Sequence, residues 1–127
     1  MPSPLRTRLR AGFIAVLSLT HPAALLADVP PSQQHEVAHL LQFVGKSSCS
    51  LIRNGSSHKG GDAAAHIEKK YDYFREKIKT TEQFIELAAS TSTSSGKEYR
   101  VSCPGEAQIT SRAWLLNELE RYRRQQR

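Results

Sequence analysis

Apolar residues recur at helical spacing along much of this chain, and short polar stretches separate the runs. Val37, Leu40, Leu41 and Val44 stand at i, i+3, i+4 and i+7, the spacing of one buried helical face. Ser32 is a suitable N-cap for that helix and Gly45 a weak point near its end. A second stripe, Ile67, Tyr71, Phe74 and Ile78, follows Asp62, a capping residue, and three alanines, Ala63 to Ala65. Thr80 and Gln83 fit a capping box that opens a third helix carrying Phe84, Ile85, Leu87, Ala88 and Ala89. Leu115, Leu116, Leu119 and Tyr122 give a fourth, with Ser111 as its cap.

Two pieces break the helical period. Ser50 to Arg53 is short and partly β-prone, and it runs into Asn54-Gly55, a turn pair because both residues tolerate positive φ. Tyr99, Val101 and Cys103 alternate with Arg100 and Ser102, which reads as a strand stopped by Pro104-Gly105. Ser56 to Gly61 reads as polar loop, and Ser90 to Ser95 with Gly96 as a flexible linker. The expected fold is therefore mainly α: about four helices with a small two-stranded β element.

The first residues change the picture of where this domain works. Arg6, Arg8 and Arg10 precede an uncharged apolar run, Ala11 to Leu19, and Ala24-Leu25-Leu26-Ala27 ends in a small residue. That order predicts a secretory signal peptide over residues 1–27, cleaved near Ala27, with a single domain over 28–127. The apolar run falls short of the roughly 20 residues that span a bilayer. No transmembrane segment is expected after cleavage.

The full chain of 127 residues carries a formal charge of +6. Losing Arg6, Arg8 and Arg10 with the signal leaves +3, which is mild for a nucleic-acid binder. Four of the remaining arginines, Arg121, Arg123, Arg124 and Arg127, close the chain, where they complement a helix dipole and are expected to be solvated. Export, an even cysteine count and a small domain favour a disulfide between Cys49 and Cys103. Two free thiols or a metal pair are the alternatives.

The loudest motif is His35-Glu36-Val37-Ala38-His39, a match to HExxH, in which two histidines one helical turn apart hold zinc beside a general base. Its context is poor for a protease: no sheet precedes it, and Gln42 stands where the extended form of the motif has glycine. His58 and His66 are a second pair, suited to acid–base chemistry or to hydrogen bonding within the fold. Asn54-Gly55-Ser56 is a glycosylation sequon, which matters only in a eukaryotic secretory pathway. No phosphate-loop pattern is present.

Arg53-Asn54-Gly55, His58, Ala63, His66, Lys70, Thr80, Glu82-Gln83-Phe84-Ile85, Ser95-Gly96-Lys97, Tyr99, Val101 and Pro104-Gly105 together resemble the YfeK-like family. These are small periplasmic proteins of Gram-negative bacteria, classed as a domain of unknown function, and the resemblance spans roughly residues 36 to 122. It implies a periplasmic location and a module, without an assigned reaction. The expected role is non-enzymatic: binding, or association with the envelope. The alternative is a small hydrolase that uses His35, Glu36 and His39 with zinc, or His58 and His66 as acid and base. The candidate ligand-binding residues are Arg53, Asn54, His58, His66, Lys70, Lys97 and Tyr99. They offer cationic and hydrogen-bonding groups suited to an anionic or glycan component of the envelope. Neither a cofactor nor a metal is expected. Arg53, His58, His66 and Lys97 are expected to cluster, and a histidine near its ordinary pKa of about 6.5 would strengthen anion binding in mild acid. If the cluster does not form, Arg53 would instead pair with an acid such as Glu98.

Overall fold

The computed structural model of this chain describes residues 2–4, 11–18 and 28–127. Arg6, Arg8, Arg10 and the expected cleavage region around Ala27 lie outside the described residues. From Pro31 the order is α1 (Pro31–Lys46), β1 (Ser50–Arg53), β2 (Ser56–Lys59), α2 (Gly60–Phe74), α3 (Thr81–Ala89), β3 (Arg100–Ser102), β4 (Ile109–Thr110) and α4 (Ser111–Gln125). A single 3₁₀ turn, Arg75–Lys77, separates α2 from α3.

Most of the four apolar stripes buries, although Leu116 of the last stripe is exposed and Ile78, expected to continue the second helix, is buried beyond the end of α2. Leu40, Val44, Ile67, Phe84, Ile85, Leu115 and Leu119 form one core with Leu51 and Val101 from the sheet. Thr80 caps α3 as its sequence announces, accepting from the Gln83 amide, while the Gln83 side chain reaches back to the Lys79 amide. The last helix is capped by Thr110, which accepts from the Ala113 amide. Ser111, expected to be the cap, is fully buried one residue inside the helix. Asp62 lies in the first turn of α2, which starts at Gly60 with no side-chain cap. Gly60 has φ +41°, and a Cβ there would stand 3.0 Å from the Gly45 carbonyl oxygen, so only glycine lets α2 start so close to the end of α1.

The β element is larger than expected. Four antiparallel strands run in the order β2-β1-β3-β4. Ser56–Lys59, which reads as loop, is the edge strand β2. Asn54 and Gly55 have φ of 47° and 81°, the paired positive values of a tight hairpin turn, and they fold β2 straight back onto β1. The serine-rich stretch after α3 is not a free linker. Ser90 and Ser92 are buried, Ser90 Oγ donates to the Ile85 carbonyl, and Thr91 pairs with Glu98 across a turn.

Cys49 and Cys103 form a disulfide with 4.2 Å between their Cα atoms. Sheet register explains it. Leu51 faces Val101 and Ser50 faces Ser102, so the next rung sets Cys49 opposite Cys103. Among the described residues no helix is long and apolar enough to cross a membrane.

Candidate functional site

Strand alternation decides which sheet residues face the helices. Leu51 and Val101 are buried on that face. Arg53, two residues beyond Leu51, shares it, and so does His58, which is the register partner of Leu51. Tyr99 lies two residues before Val101 and is 2% exposed. Helix α2 brings His66 and Lys70, one turn apart, against the same end of the sheet.

These five side chains meet. Arg53 Nη1 stands 2.9 Å from both ring nitrogens of His66, and Nη2 stands 3.3 Å from His58 Nε2. His66 Nε2 is 3.1 Å from the Tyr99 hydroxyl. Lys70 Nζ donates to the Thr91 carbonyl and lies 3.4 Å from the same hydroxyl. Arg53 can only donate, so the His66 nitrogen that takes its hydrogen bond must carry a lone pair, and the ring is neutral. With Nδ1 as that acceptor, Nε2–H is left to donate to Tyr99. Burial, then the charges of Arg53, Lys70, His58 and Lys69, push the His66 pKa down to about 4. Burial, and secondarily Arg53, lowers Lys70 as well. Burial raises Tyr99, against the pull of Arg53.

The cluster holds no acid. Among the described residues, the ion pairs involve neither Arg53 nor Lys70. Glu98, the acid expected to neutralise Arg53, pairs instead with Arg112 at 3.4 Å. Arg53 Nε is buried without a hydrogen-bond partner.

Two expected members sit elsewhere. Asn54 turns to the serine loop, donating to Ser92 Oγ and accepting from Ser95 Oγ at 2.7 Å. Lys97 is exposed at the base of the 93–95 turn, where its carbonyl accepts from the Ser92 amide and its own amide donates to Ser95 Oγ. The expected gain of binding through a histidine near pKa 6.5 does not hold for His66, which stays neutral until about pH 4.

His66 gives stability a pH signature. Its folded pKa is depressed, so as pH falls below 6.5 the unfolded chain gains a proton that the folded one refuses. Stability is untouched above pH 6.5 and falls progressively toward pH 4. With about 1.36 kcal/mol per pKa unit, the loss reaches about 2 kcal/mol at pH 5. Urea midpoints at pH 7.5 and 5 should therefore converge in His66→Gln and stay apart in the native chain. Equal pH dependence in both would mean that His66 charges freely in the fold. The carboxylates with lowered pKa, such as Glu36 and Glu118, act below about 4.5, outside most of this window.

The HExxH match is taken apart by the helix that carries it. His35 is exposed, whereas Glu36 is turned inward. Glu36 accepts from Arg123 Nε at 2.6 Å and Nη2 at 2.9 Å, and from the Thr81 hydroxyl at 2.6 Å. His39 Nε2 is 2.9 Å from Glu118 Oε1, and the ring stacks on Tyr122 with centroids 4.1 Å apart. Both oxygens of the motif's would-be base are thus held by Arg123.

An open pocket of about 300 Å³ adjoins the cationic cluster, lined by His66, Lys69, Lys70, Tyr73, Phe74 and Thr93. Three of these, Lys69, Tyr73 and Thr93, were not among the residues singled out from sequence. The signal was present: positions 66, 69, 70 and 73 repeat the i, i+3, i+4, i+7 spacing, one stripe beside the apolar one.

Among the described residues the structure thus defines a small, disulfide-linked domain of four helices and an antiparallel sheet, with an acid-free cationic cluster between sheet and helix. The chain belongs to a family of unknown function, DUF5329, whose model matches residues 31–123. It is 33% identical over 87 residues to the "Uncharacterized protein YfeK" of Salmonella typhimurium (strain LT2), covering 68% of this chain and 71% of that protein. No solved structure matches the chain.

Proposed function

We propose that this protein is a non-enzymatic binding module that takes an anion at the Arg53, His58, His66, Lys70 and Tyr99 cluster. The carrying observation is the combination of two cations, Arg53 and Lys70, with no acid among their partners. Partly buried positive charges without a counterion are costly, and a bound anion relieves that cost. Arg53 also keeps an unused buried donor, Nε. Binding is favoured over acid–base chemistry because both ring nitrogens of His66 already face protein groups, leaving none free to act as a base.

The module works in the periplasm on this reading. Support comes from the arginine-rich, apolar start of the sequence, from the disulfide, and from the contacts of the residues just after the expected cut. Asp28, the first residue after the expected cut, is tied to Tyr71 and to Arg75 Nη1, and Val29 is 2% exposed in the core. A cut after Ala27 therefore keeps both of these residues in the chain.

The test is a titration of the periplasmic protein, whose intact mass should start at Asp28. Acetate or phosphate, followed at low salt by calorimetry and by His66 ring shifts, should bind saturably in the native chain. Arg53→Ala should weaken binding at least tenfold while the circular dichroism spectrum is unchanged. Shift changes scattered over the surface, or equal binding by Arg53→Ala, would refute the assignment.

A further inference from the structure

The pocket beside the cluster narrows the class of anion. Its walls come almost wholly from one face of α2: His66, Lys69, Lys70, Tyr73 and Phe74, closed by Thr93 from the loop after α3. Two of these, His66 and Lys70, belong to the cationic cluster, so the pocket borders the cluster. The far wall is aromatic. Tyr73 packs edge-on against Phe74 with centroids 4.8 Å apart, yet it remains 78% exposed. Nothing in the fold requires a large ring at that position. The core stripe of α2 runs through Ala63, Ile67 and Tyr71 instead.

We propose that the ligand is a compact ring-bearing carboxylate, its anionic end at Arg53, His66 and Lys70 and its ring against Tyr73 and Phe74. The inference rests on the anion-binding reading and adds the body of the ligand to its charge. Three considerations select this chemistry. A volume of about 300 Å³ is at the lower limit for ligand sites, enough for a single ring and short for a long acyl chain. Aromatic walls attract planar rings in stacked or edge-on geometry beyond simple area burial. A carboxylate brings one negative charge past the aromatic wall, whereas a phosphate monoester brings about −1.5 to −2 and a greater desolvation cost. Lys69 and Thr93, which also line the pocket, offer further donors to a substituent on the ring.

Benzoate, acetate, octanoate and inorganic phosphate, each titrated into the full mature domain by calorimetry at pH 7, separate the outcomes. The native chain should bind benzoate at least tenfold more tightly than acetate, octanoate or phosphate. Tyr73→Ala, a truncation at an exposed site, should bring the benzoate-to-acetate ratio close to one, and Tyr73→Phe should restore it. Arg53→Ala should lose both ligands. Equal affinity for benzoate and acetate in the native chain would overturn the ring pocket and leave the anion site standing. So would an unchanged ratio in Tyr73→Ala. Octanoate or phosphate binding as tightly as benzoate would overturn the compact carboxylate. Failure of every anion to bind would overturn the anion reading itself.

Discussion

Replacing Cys49 and Cys103 together by serine is expected to lower folding stability by about 4 kcal/mol. The bond closes a loop with a sequence separation of 54, and loop-closure entropy for a span of that size gives this magnitude. The loss falls largely on the unfolded chain, so the four helices and the sheet should survive in the variant. Register already sets the two residues on facing rungs of β1 and β3, so the backbone pairing does not depend on the bond. Stability of small domains is typically about 5–15 kcal/mol, which makes a change of this size visible as a large drop in the urea midpoint with little change in slope. The same drop should follow reduction of the native chain by dithiothreitol. A midpoint within about 1 kcal/mol of the native one would show that the reduced chain is already constrained. Peptide mapping without reductant should yield the 49 and 103 peptides as one linked species. Free thiols in protein isolated from an oxidising compartment would contradict the pairing.

That bond joins two segments whose extended character is legible from sequence, and the difference between them and the rest of the sheet is instructive. β1 and β3 each carry a core residue, Leu51 and Val101, so alternation of apolar and polar positions marks them. β2 is Ser-Ser-His-Lys and β4 is Ile-Thr, with Ile109 exposed, and neither has an apolar alternation to read. β2 becomes a strand because the Asn54-Gly55 turn aims it along β1, so the turn pair, and not the composition of 56–59, carries the signal for it. Ser90 to Ser95 misleads in the opposite direction. Serines suit a flexible linker by composition, but here their hydroxyls bond Ile85, Asn54 and one another, and polar residues are buried where such partners exist. At the site, the residue types were legible and their grouping was not fully so. Arg53, His58, His66, Lys70 and Tyr99 converge because alternation and helical period both point them between α2 and the sheet. Lys97 closes the base of the serine turn through its carbonyl, and Asn54 is spent on holding that loop. Tyr73 adjoins the apolar stripe of α2, where an aromatic residue looks like core, so its exposure is not legible from spacing alone.

Arg123→Ala is expected to destabilise the protein by about 3 kcal/mol at pH 7, although Arg123 lies in a basic tail that reads as solvated. The reason is what it leaves behind. Glu36 is 9% exposed, and Arg123 holds it in a two-pronged pair, with Nη1 also reaching Glu82 at 2.5 Å. Hydrogen bonds from Arg123, chiefly, hold the Glu36 pKa below its ordinary value against the opposing effect of burial. With Arg123 gone, only the Thr81 hydroxyl remains, Glu82 repels, and an uncompensated buried carboxylate typically costs about 3–5 kcal/mol. The Arg123 side chain is 37% exposed, which argues for the lower end of that range. The pH dependence separates this from a packing defect. In the native chain Glu36 contributes stability above its unfolded pKa of about 4.5, which is lost as pH falls through the lower folded value. In Arg123→Ala the carboxyl escapes its penalty by taking up a proton, so the gap between variant and native chain should shrink as pH drops from 7 to 4. Glu36→Gln combined with Arg123→Met should recover most of the loss, because a neutral amide can keep the Thr81 hydrogen bond without a buried charge. An Arg123→Ala variant within about 1 kcal/mol of the native chain, or a deficit that stays constant with pH, would show that the pair is ornamental. The residue that makes the zinc-protease motif look complete is, on this argument, the buried half of an ion pair that fastens α1 to α4.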